Sequence, residues 1–589
     1  HFQAGSRGFM PIETDWKERK GEKVVQQGNS TLWRMDDAPR NTLVIESTCI
    51  DDAERLFNII YQNLPTLPAD EEPMMNLLAM YEEERWILFL LLRRKHRPSC
   101  YTAEGNERLL CSPASVDLGG VLILPIAEDF EKITDEMAEN IVSEVCLSTE
   151  EVAQICKRMQ EPEVAVGILS GKEIKFSLNG KYISPKGKIS GKQTATLQAG
   201  KIAWEGDLYN ELLFIPTQPD GVFELEEVTI GIHFHWERKE NQRFQGALKL
   251  IVEEEKLTAV NIVGVEDYLT SVISSEMSAT SSLQLLKAHA VISRSWLIAQ
   301  IEKSAELEQA KADYKTETRT DDEYVRWFDR EDHTNFDVCA DDHCQRYQGI
   351  NRASTEVVRQ AIAETRGEVV AYNGKTCDAR FSKCCGGVAE RFENVWEPVV
   401  HPYLTKVYDA AVEDPSWDLT VEEQARKWIT TSPEAFCNTT DAKVLSEVLN
   451  TYDQETQNFY RWTEEFTQEG LSDLIRERLG IDFGTVTDLI PVERGVSGRL
   501  IKLKVVGTKR TMTIGKELII RKAFSRSHLY SSAFVVDRRE DGGFILRGAG
   551  WGHGVGLCQI GAAVMGAKGY NYREILEHYF RGAKIEKKY

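Results

Sequence analysis

Glu276 stands out because of its neighbours. In the run Val265-Glu266-Asp267-Tyr268-Leu269-Thr270-Ser271-Val272-Ile273-Ser274-Ser275-Glu276-Met277, a helix turning about 100° per residue puts Leu269, Val272, Ile273 and Met277 on one stripe. Glu276 falls inside that stripe. A carboxylate among apolar groups is desolvated and holds its proton more tightly, which suits a general acid working near neutrality. A helix end from which Glu276 reaches solvent satisfies the same pattern. Arg294, in the next helical stretch Leu286–Trp296, could grip a carboxylate with two parallel hydrogen bonds, and an ordinary salt bridge accounts for it equally well.

Two loops carry further chemistry. In Gly550-Trp551-Gly552-His553-Gly554-Val555-Gly556-Leu557-Cys558-Gln559-Ile560-Gly561, alternate glycines would weaken a strand and so need another reason. Close backbone approach to a ligand, or a positive φ, supplies one, and His553 is presented for proton transfer or ligand orientation. The acidic stretch His333-Thr334-Asn335-Phe336-Asp337-Val338-Cys339-Ala340-Asp341-Asp342-His343-Cys344-Gln345 mixes thiols with imidazoles, a donor set that suits zinc. Adjacent His343 and Cys344 fit one ion awkwardly, so His333, Cys339 and Cys344 with an open fourth position are the favoured ligands. Free cysteines in a loop are the alternative.

The elements that must hold these residues divide near 160–166. Before it, apolar runs alternate with helical stretches. Trp86–Leu92 fits a buried strand, and Asp129–Met159 has the helical spacing of closing helices. From 166 to about 260 short strands follow one another, punctuated by Gly, Asn and Pro. Helical periodicity returns at 265 and over 282–308, and 311–345 reads as acidic loop. A hairpin is expected around Asn373-Gly374, mostly helix over 405–480, strands at 498–506 and 510–514, and a helix over Tyr572–Tyr579. At 589 residues the chain is too long for a single core, so the expectation is an α+β protein of two domains, 1–163 and 164–589. The second would begin β-rich (164–262) and continue as a catalytic core (263–589).

No apolar run approaches the roughly 18 residues of a transmembrane helix. A net charge of −22 argues against a nucleic-acid partner, which wants clustered basic surface. The 12 cysteines are scattered, with one adjacent pair, Cys384 and Cys385, and do not form the dense framework of a small secreted domain. They read as reduced or metal-bound. The sequence opens on His1 rather than Met, so its lack of a signal peptide says nothing about export.

Together these stretches resemble the SpoIID/LytB family (stage II sporulation protein D and amidase enhancers) over about 165–589. VEDYLTSVISSEM followed by LKAHAVISRSW is similar to the segment bearing the family's catalytic glutamate, which falls on Glu276. Two positions differ from the usual pattern: His289 replaces Gln, and Ser278 replaces Pro. FDVCADDHCQRYQG, CDARFSKCCGGVAERFENVW, SGRLIKLKVVG, SSAF and GWGHGVGLCQIGAAVMGAKGYNYREILEHYFRGAKI follow in family order, while 410–480 aligns poorly. The resemblance implies a bacterial lytic transglycosylase that cuts peptidoglycan glycan strands lacking stem peptides. One Glu would act as both acid and base where ordinary glycosidases use two carboxylates. Arg294, His553 and Gln559 would orient sugar or stabilise charge. Lys287, Trp551, Gly552, Gly554, Gly386 and Gly387 are the substrate-binding candidates. It also implies zinc on His333, Cys339 and Cys344, although the two cysteines lie one residue closer than in zinc-binding members.

The N-terminal part is different. HFQAG, RWILFLLLRRKHRPSCY and SPASVDLGGVLILP resemble GDP-galactose phosphorylases and related histidine-triad-like nucleotidyl transferases. The implied fold is a truncated α+β domain with His1 and Gln3 as remnants of a nucleophilic histidine motif. Its partner would be a nucleotide or nucleotide sugar, with Arg93, Arg94, Lys95 and Arg97 facing phosphates. Three functions thus compete: glycan cleavage, non-catalytic glycan binding as an amidase enhancer, and nucleotidyl transfer. The first two put the protein in the cell envelope, the third in the cytoplasm.

Overall fold

In a computed structural model of the chain, the apolar run Trp86–Leu92 lies in the strand Arg85–Leu92 and is buried on both faces. Alternation along a strand sends Leu88, Leu90 and Leu92 to one side and Ile87, Phe89 and Leu91 to the other, so both sets must be apolar. The structure describes all residues except 1–5, 7, 28, 63, 67–71, 219–220, 231–237, 279–280, 308–314, 329–332, 342, 352–354, 450–457 and 528. Helix accounts for 29% and strand for 34%, in several separate sheets, which makes the fold α+β. The chain forms two units. One is His1–Glu163 with Leu178–Gly191 and Leu213–Val222; the other is Val164–Ser177, Lys192–Leu212 and Phe223–Tyr589.

In the first unit Arg85–Leu92 belongs to a five-stranded antiparallel sheet, in the order Glu22–Gln27, Ser30–Arg34, Leu43–Ser47, Arg85–Leu92, Met75–Glu82. Helices Ile50–Gln62 and Thr149–Gln160 cover one face. Ser148 starts the latter with a capping box closed by Glu151. Ile12 and Trp16 of the helix Pro11–Glu18 cover the other face, with Leu118 and Val145. The residues of the basic turn have partners within the unit. Arg93 bonds Asn76 and the carbonyls of Lys95 and His96, Arg94 pairs with Glu151 and Lys95 with Glu144, and Arg97 lies over the Tyr101 ring. His1 and Gln3 lie outside the described residues.

In the second unit the strand Lys256–Gly264 pairs with Ala247–Glu253 and lies beside Glu163–Gly171, whose far edge takes the two-residue strand Val338–Cys339 in parallel. Gly264 turns the first of these strands into the helix Val265–Glu276. Helix Leu283–Leu307 follows. A second sheet runs Glu317–Arg319, Glu323–Arg326, Thr511–Gly515, Leu500–Gly507, Val486–Arg494. The first two of its strands lie in the stretch read as acidic loop. The stretch 405–480 is only partly helical: Glu422–Thr430, Ala442–Val448 and Gln468–Leu479 are helices, but Arg461–Phe466 is a strand against Phe544–Ala549. Its partner is some 80 residues away, and local periodicity carries no sign of it.

One ion pair ties these elements together. Arg294, fully buried, donates from Nε and Nη2 to the Glu266 carboxylate at 2.9 and 2.6 Å and from Nη1 to the Glu368 carbonyl at 3.0 Å. Glu266 also accepts from the Gly367 amide and the Tyr589 hydroxyl. The strand Lys584–Lys587 brings Tyr589 there by pairing with Glu368–Ala371. Burial disfavours the Arg294 charge, and the Glu266 charge and hydrogen bonds together with Tyr589 more than restore it. Glu266→Ala would strand a buried guanidinium and is expected to cost about 3–5 kcal/mol. The paired change Glu266→Leu with Arg294→Met should cost much less. Calorimetric unfolding of the two variants checks this.

Candidate functional site

Glu276 is the last residue of the helix Val265–Glu276, whose apolar side is packed solid: Val265, Tyr268, Leu269, Val272 and Ile273 are buried. Glu276 itself is half-buried. Its Oε1 accepts the backbone amide of Arg346 at 3.2 Å. The segment around Arg346 is fastened to the same helix on both sides. Tyr268 donates its hydroxyl to Gln345 Oε1, Tyr347 stacks on Tyr268 at 4.9 Å and bonds Asn261, and the Gln348 amide donates to Ser271 Oγ. Met277 is already extended, and the turn after it is held by Glu447. The Glu447 carbonyl accepts from Ser278 N and Ser281 Oγ, and its carboxylate accepts from Ser282 N.

Two residues before Arg346 the Cys/His loop closes on itself. The donor atoms of His333, Cys339, His343 and Cys344 all lie within 4.8 Å of one another. Cys344 Sγ is 3.5 Å from His333 Nε2 and 3.4 Å from His343 Nδ1, and Cys339 Sγ is 3.9 Å from His343 Nδ1. His343, set aside for its adjacency to Cys344, therefore joins the group. The parallel pairing of Val338–Cys339 with Val166–Gly167 anchors one end of the loop, and the Cys344 amide donates to the Asp341 carbonyl at 3.0 Å. The Cys344 thiol, then His333 and His343, hold the Cys339 thiol below its usual range. A cavity of about 520 Å³ opens beside the loop, with His333, Cys339, His343, Arg346 and Tyr347 in its wall.

Other expected site residues serve the fold. Arg294 is fully buried and bonded to Glu266 and the Glu368 carbonyl. Lys287 pairs with Glu364 and lies over the Tyr572 ring. The glycines admit the protein's own groups. A Cβ on Gly554 would fall 2.3 Å from the Arg499 guanidinium, and one on Gly387 2.8 Å from the Trp428 ring. The Gly552 carbonyl accepts from Arg499, and the Gly386 carbonyl from Trp428 and Arg461. Trp551 pairs its backbone with Cys384 and leaves its ring half-exposed. Sequence reading missed Arg499, whose burial gives no local signal.

His553 accepts the Val555 amide on Nδ1 at 3.0 Å. Burial, then the charges of Arg380, Arg499 and Arg521, keep its imidazole neutral, well below the ordinary range. Gln559 reaches the residue that follows the glutamate. Its Nε2 is 4.0 Å from the Met277 sulfur and donates to His289 Nε2 at 2.8 Å. The His289 proton then sits on Nδ1, facing Ser293 Oγ at 3.2 Å. Glu276 and Gln559 are thus brought together through Met277, while the hydrogen bonds of Glu276 and His553 do not join.

Separate parts of the chain match known families. Residues 253–372 match the family described as Stage II sporulation protein, 390–556 a domain of unknown function (DUF8618), and 17–162 the family described as GDPGP1-like, C-terminal domain. The chain therefore carries a SpoIID domain, which includes Glu276 and the Cys/His loop, after a GDPGP1-like one. The chain is similar to an uncharacterized protein of Brachyspira hyodysenteriae, 27% identical over 58% of this chain and 72% of that one. It is also similar to the amidase enhancer of Bacillus subtilis (25%, over 54% and 40%) and to stage II sporulation protein D of the same organism (21%, over 56% and 76%).

Burial, and to a lesser degree the Lys383 charge, push His289 down to about 3, whereas an unfolded histidine titrates near 6.5. The unfolded chain then binds the extra proton between those values. Stability should be intact above about pH 6.5 and fall by about 1.4 kcal/mol per pH unit as pH drops toward 3. His289→Gln can keep a bond to Gln559 through its amide and should remove that slope. Chemical denaturation at stepped pH measures it.

Proposed function

We propose that the second unit cleaves peptidoglycan glycan strands lacking stem peptides by lytic transglycosylation, with Glu276 as the single acid/base. The observation that carries this reading is the clamp on Glu276. A half-buried carboxylate ends a rigid helix, and the Arg346 amide fixes one of its oxygens. Glu276 gives its proton to the glycosidic oxygen as the C1–O bond breaks. It then takes the proton from the C6 hydroxyl of the same sugar as O6 closes on C1, so no water is consumed and the product is a 1,6-anhydro sugar. Gln559 and His289 act on Glu276 only by holding Met277, as positioning residues. The half-exposed Trp551 ring is the apolar face offered to sugar.

His333, Cys339, His343 and Cys344 fit zinc. Bonds of about 2.3 Å to sulfur and 2.0–2.1 Å to nitrogen make tetrahedral S···N edges of about 3.6 Å, and the observed ones are 3.4–3.9 Å. Four protein donors describe a closed structural site instead of the open one expected from three. Bound zinc would supply a cross-link. The loop it closes carries Arg346 to Glu276. Likeness to a protein called an amidase enhancer supports a second reading, in which the same surface holds glycan without cutting it. Either role belongs at the cell wall. Among the described residues no helix is long and apolar enough to cross a membrane.

Wild-type protein incubated with stripped glycan strands should release anhydro-ended fragments, read by mass spectrometry. Glu276→Gln should slow release by about 10²–10⁴-fold. Hydrated reducing ends would mean hydrolysis, and binding with no cleavage would favour the second reading. Cys344→Ser should lower bound zinc by one ion per chain and weaken cleavage through the displaced Arg346 segment.

A further inference from the structure

A second group of metal-binding side chains lies wholly inside the second unit. The sulfurs of Cys385, Cys437 and Cys558 and a carboxylate oxygen of Asp409 lie within 4.8 Å of one another, and all four residues are buried. They come from four separate places in the sequence. Cys385 precedes the Gly-Gly pair, Asp409 follows the strand Val407–Tyr408, Cys437 lies in the stretch of irregular structure after the helix Glu422–Thr430, and Cys558 leads into the helix Gln559–Ala567.

We propose that these four residues hold a structural zinc ion, distinct from the Cys/His loop and independent of the glycan-cleaving reading. Three features point to a cation. First, the spacing fits. Zinc–sulfur bonds of about 2.3 Å give tetrahedral S···S edges of about 3.8 Å, and Cys385 Sγ to Cys437 Sγ is 3.7 Å. A disulfide would need about 2.05 Å. Second, Asp409 is a fully buried carboxylate with no ion-pair partner among the described residues. Its carboxylate accepts the Tyr579 hydroxyl at 2.6 Å and the Cys437 amide at 2.9 Å, and a buried carboxylate lacking a counter-charge is a place where a cation is favoured. Third, the surroundings already orient the ligands as outer partners of a metal do. Tyr579 and the Cys437 amide fix the carboxylate, and the Cys385 amide donates to Cys558 Sγ at 3.2 Å. Four protein donors with no solvent-facing position make a closed site of the structural kind.

The site would pin the segment 405–440 to the glycine loop's exit. Cys558 immediately precedes Gln559, and Cys385 precedes the turn that receives Trp428 and Arg461. Holding these together fixes the backbone on which Gln559 reaches Met277.

The test begins with full-length protein carrying Cys339→Ser and Cys344→Ser, which removes the loop donors. Elemental analysis should find one zinc per chain, and adding Cys437→Ser should remove it. Cobalt substitution of the loop-disabled protein needs no core variant. It should give tetrahedral visible bands and a thiolate charge-transfer band of the intensity of three sulfurs. Absence of metal from the loop-disabled protein would overturn the proposal. So would a Cys385–Cys437 disulfide in peptide mapping, or a four-sulfur band, which would replace Asp409 by the neighbouring Cys384.

Discussion

The second unit depends on a charge that has nowhere else to go. Arg294 is fully buried, and a guanidinium there is tolerable only if every direction it faces offers an acceptor. Glu266 and the Glu368 carbonyl do so. Satisfying the pair fixes the first turn of the helix Val265–Glu276, the middle of the helix Leu283–Leu307 and the edge of the strand Glu368–Tyr372 together. Ten residues on, about 15 Å along a rigid rod, Glu276 inherits that placement. The position of the candidate acid is thus set at the far end of its own helix.

The glycine loop obeys a similar logic with a different currency, volume. Arg499 lies fully buried beneath it and bonds the carbonyls of Gly552 and Cys385, and at Gly554 the space for a side chain is already taken by that guanidinium. Backbone approaches backbone here because the protein packs an arginine where a core would place an aliphatic group. His553, neutral and bonded by Val555, is part of that packing.

What could be read from the sequence follows from how local each cause is. An unbroken apolar run made the strand Arg85–Leu92 legible. Period 3.6 did the same for the helices bearing Glu276 and Arg294, and Asn373-Gly374 marked its hairpin, where both residues take positive φ. Roles set by distant partners were not legible. Arg294 has the look of a catalytic arginine until Glu266 is seen beside it. His343 was discounted on chain adjacency, yet a tight turn lets neighbouring side chains converge. The strand Arg461–Phe466 exists because of Phe544–Ala549, and the grouping of Asp409 with three cysteines depends on contacts spanning up to 173 residues.

The bond from Tyr589 to Glu266 spans 323 positions, and the strand that delivers it, Lys584–Lys587, is made long after the helix Val265–Glu276. A ribosome or a translocation channel releases the chain from the N-terminal side, so the helix carrying Glu276 emerges long before the hydroxyl that completes its first turn. Until residues 584–589 arrive, Glu266 lacks one donor and Glu368–Ala371 presents an unpaired edge. Vectorial synthesis therefore completes the hydrogen bonds at the first turn of the helix bearing Glu276 only after residues 584–589 have emerged, more than 300 positions later.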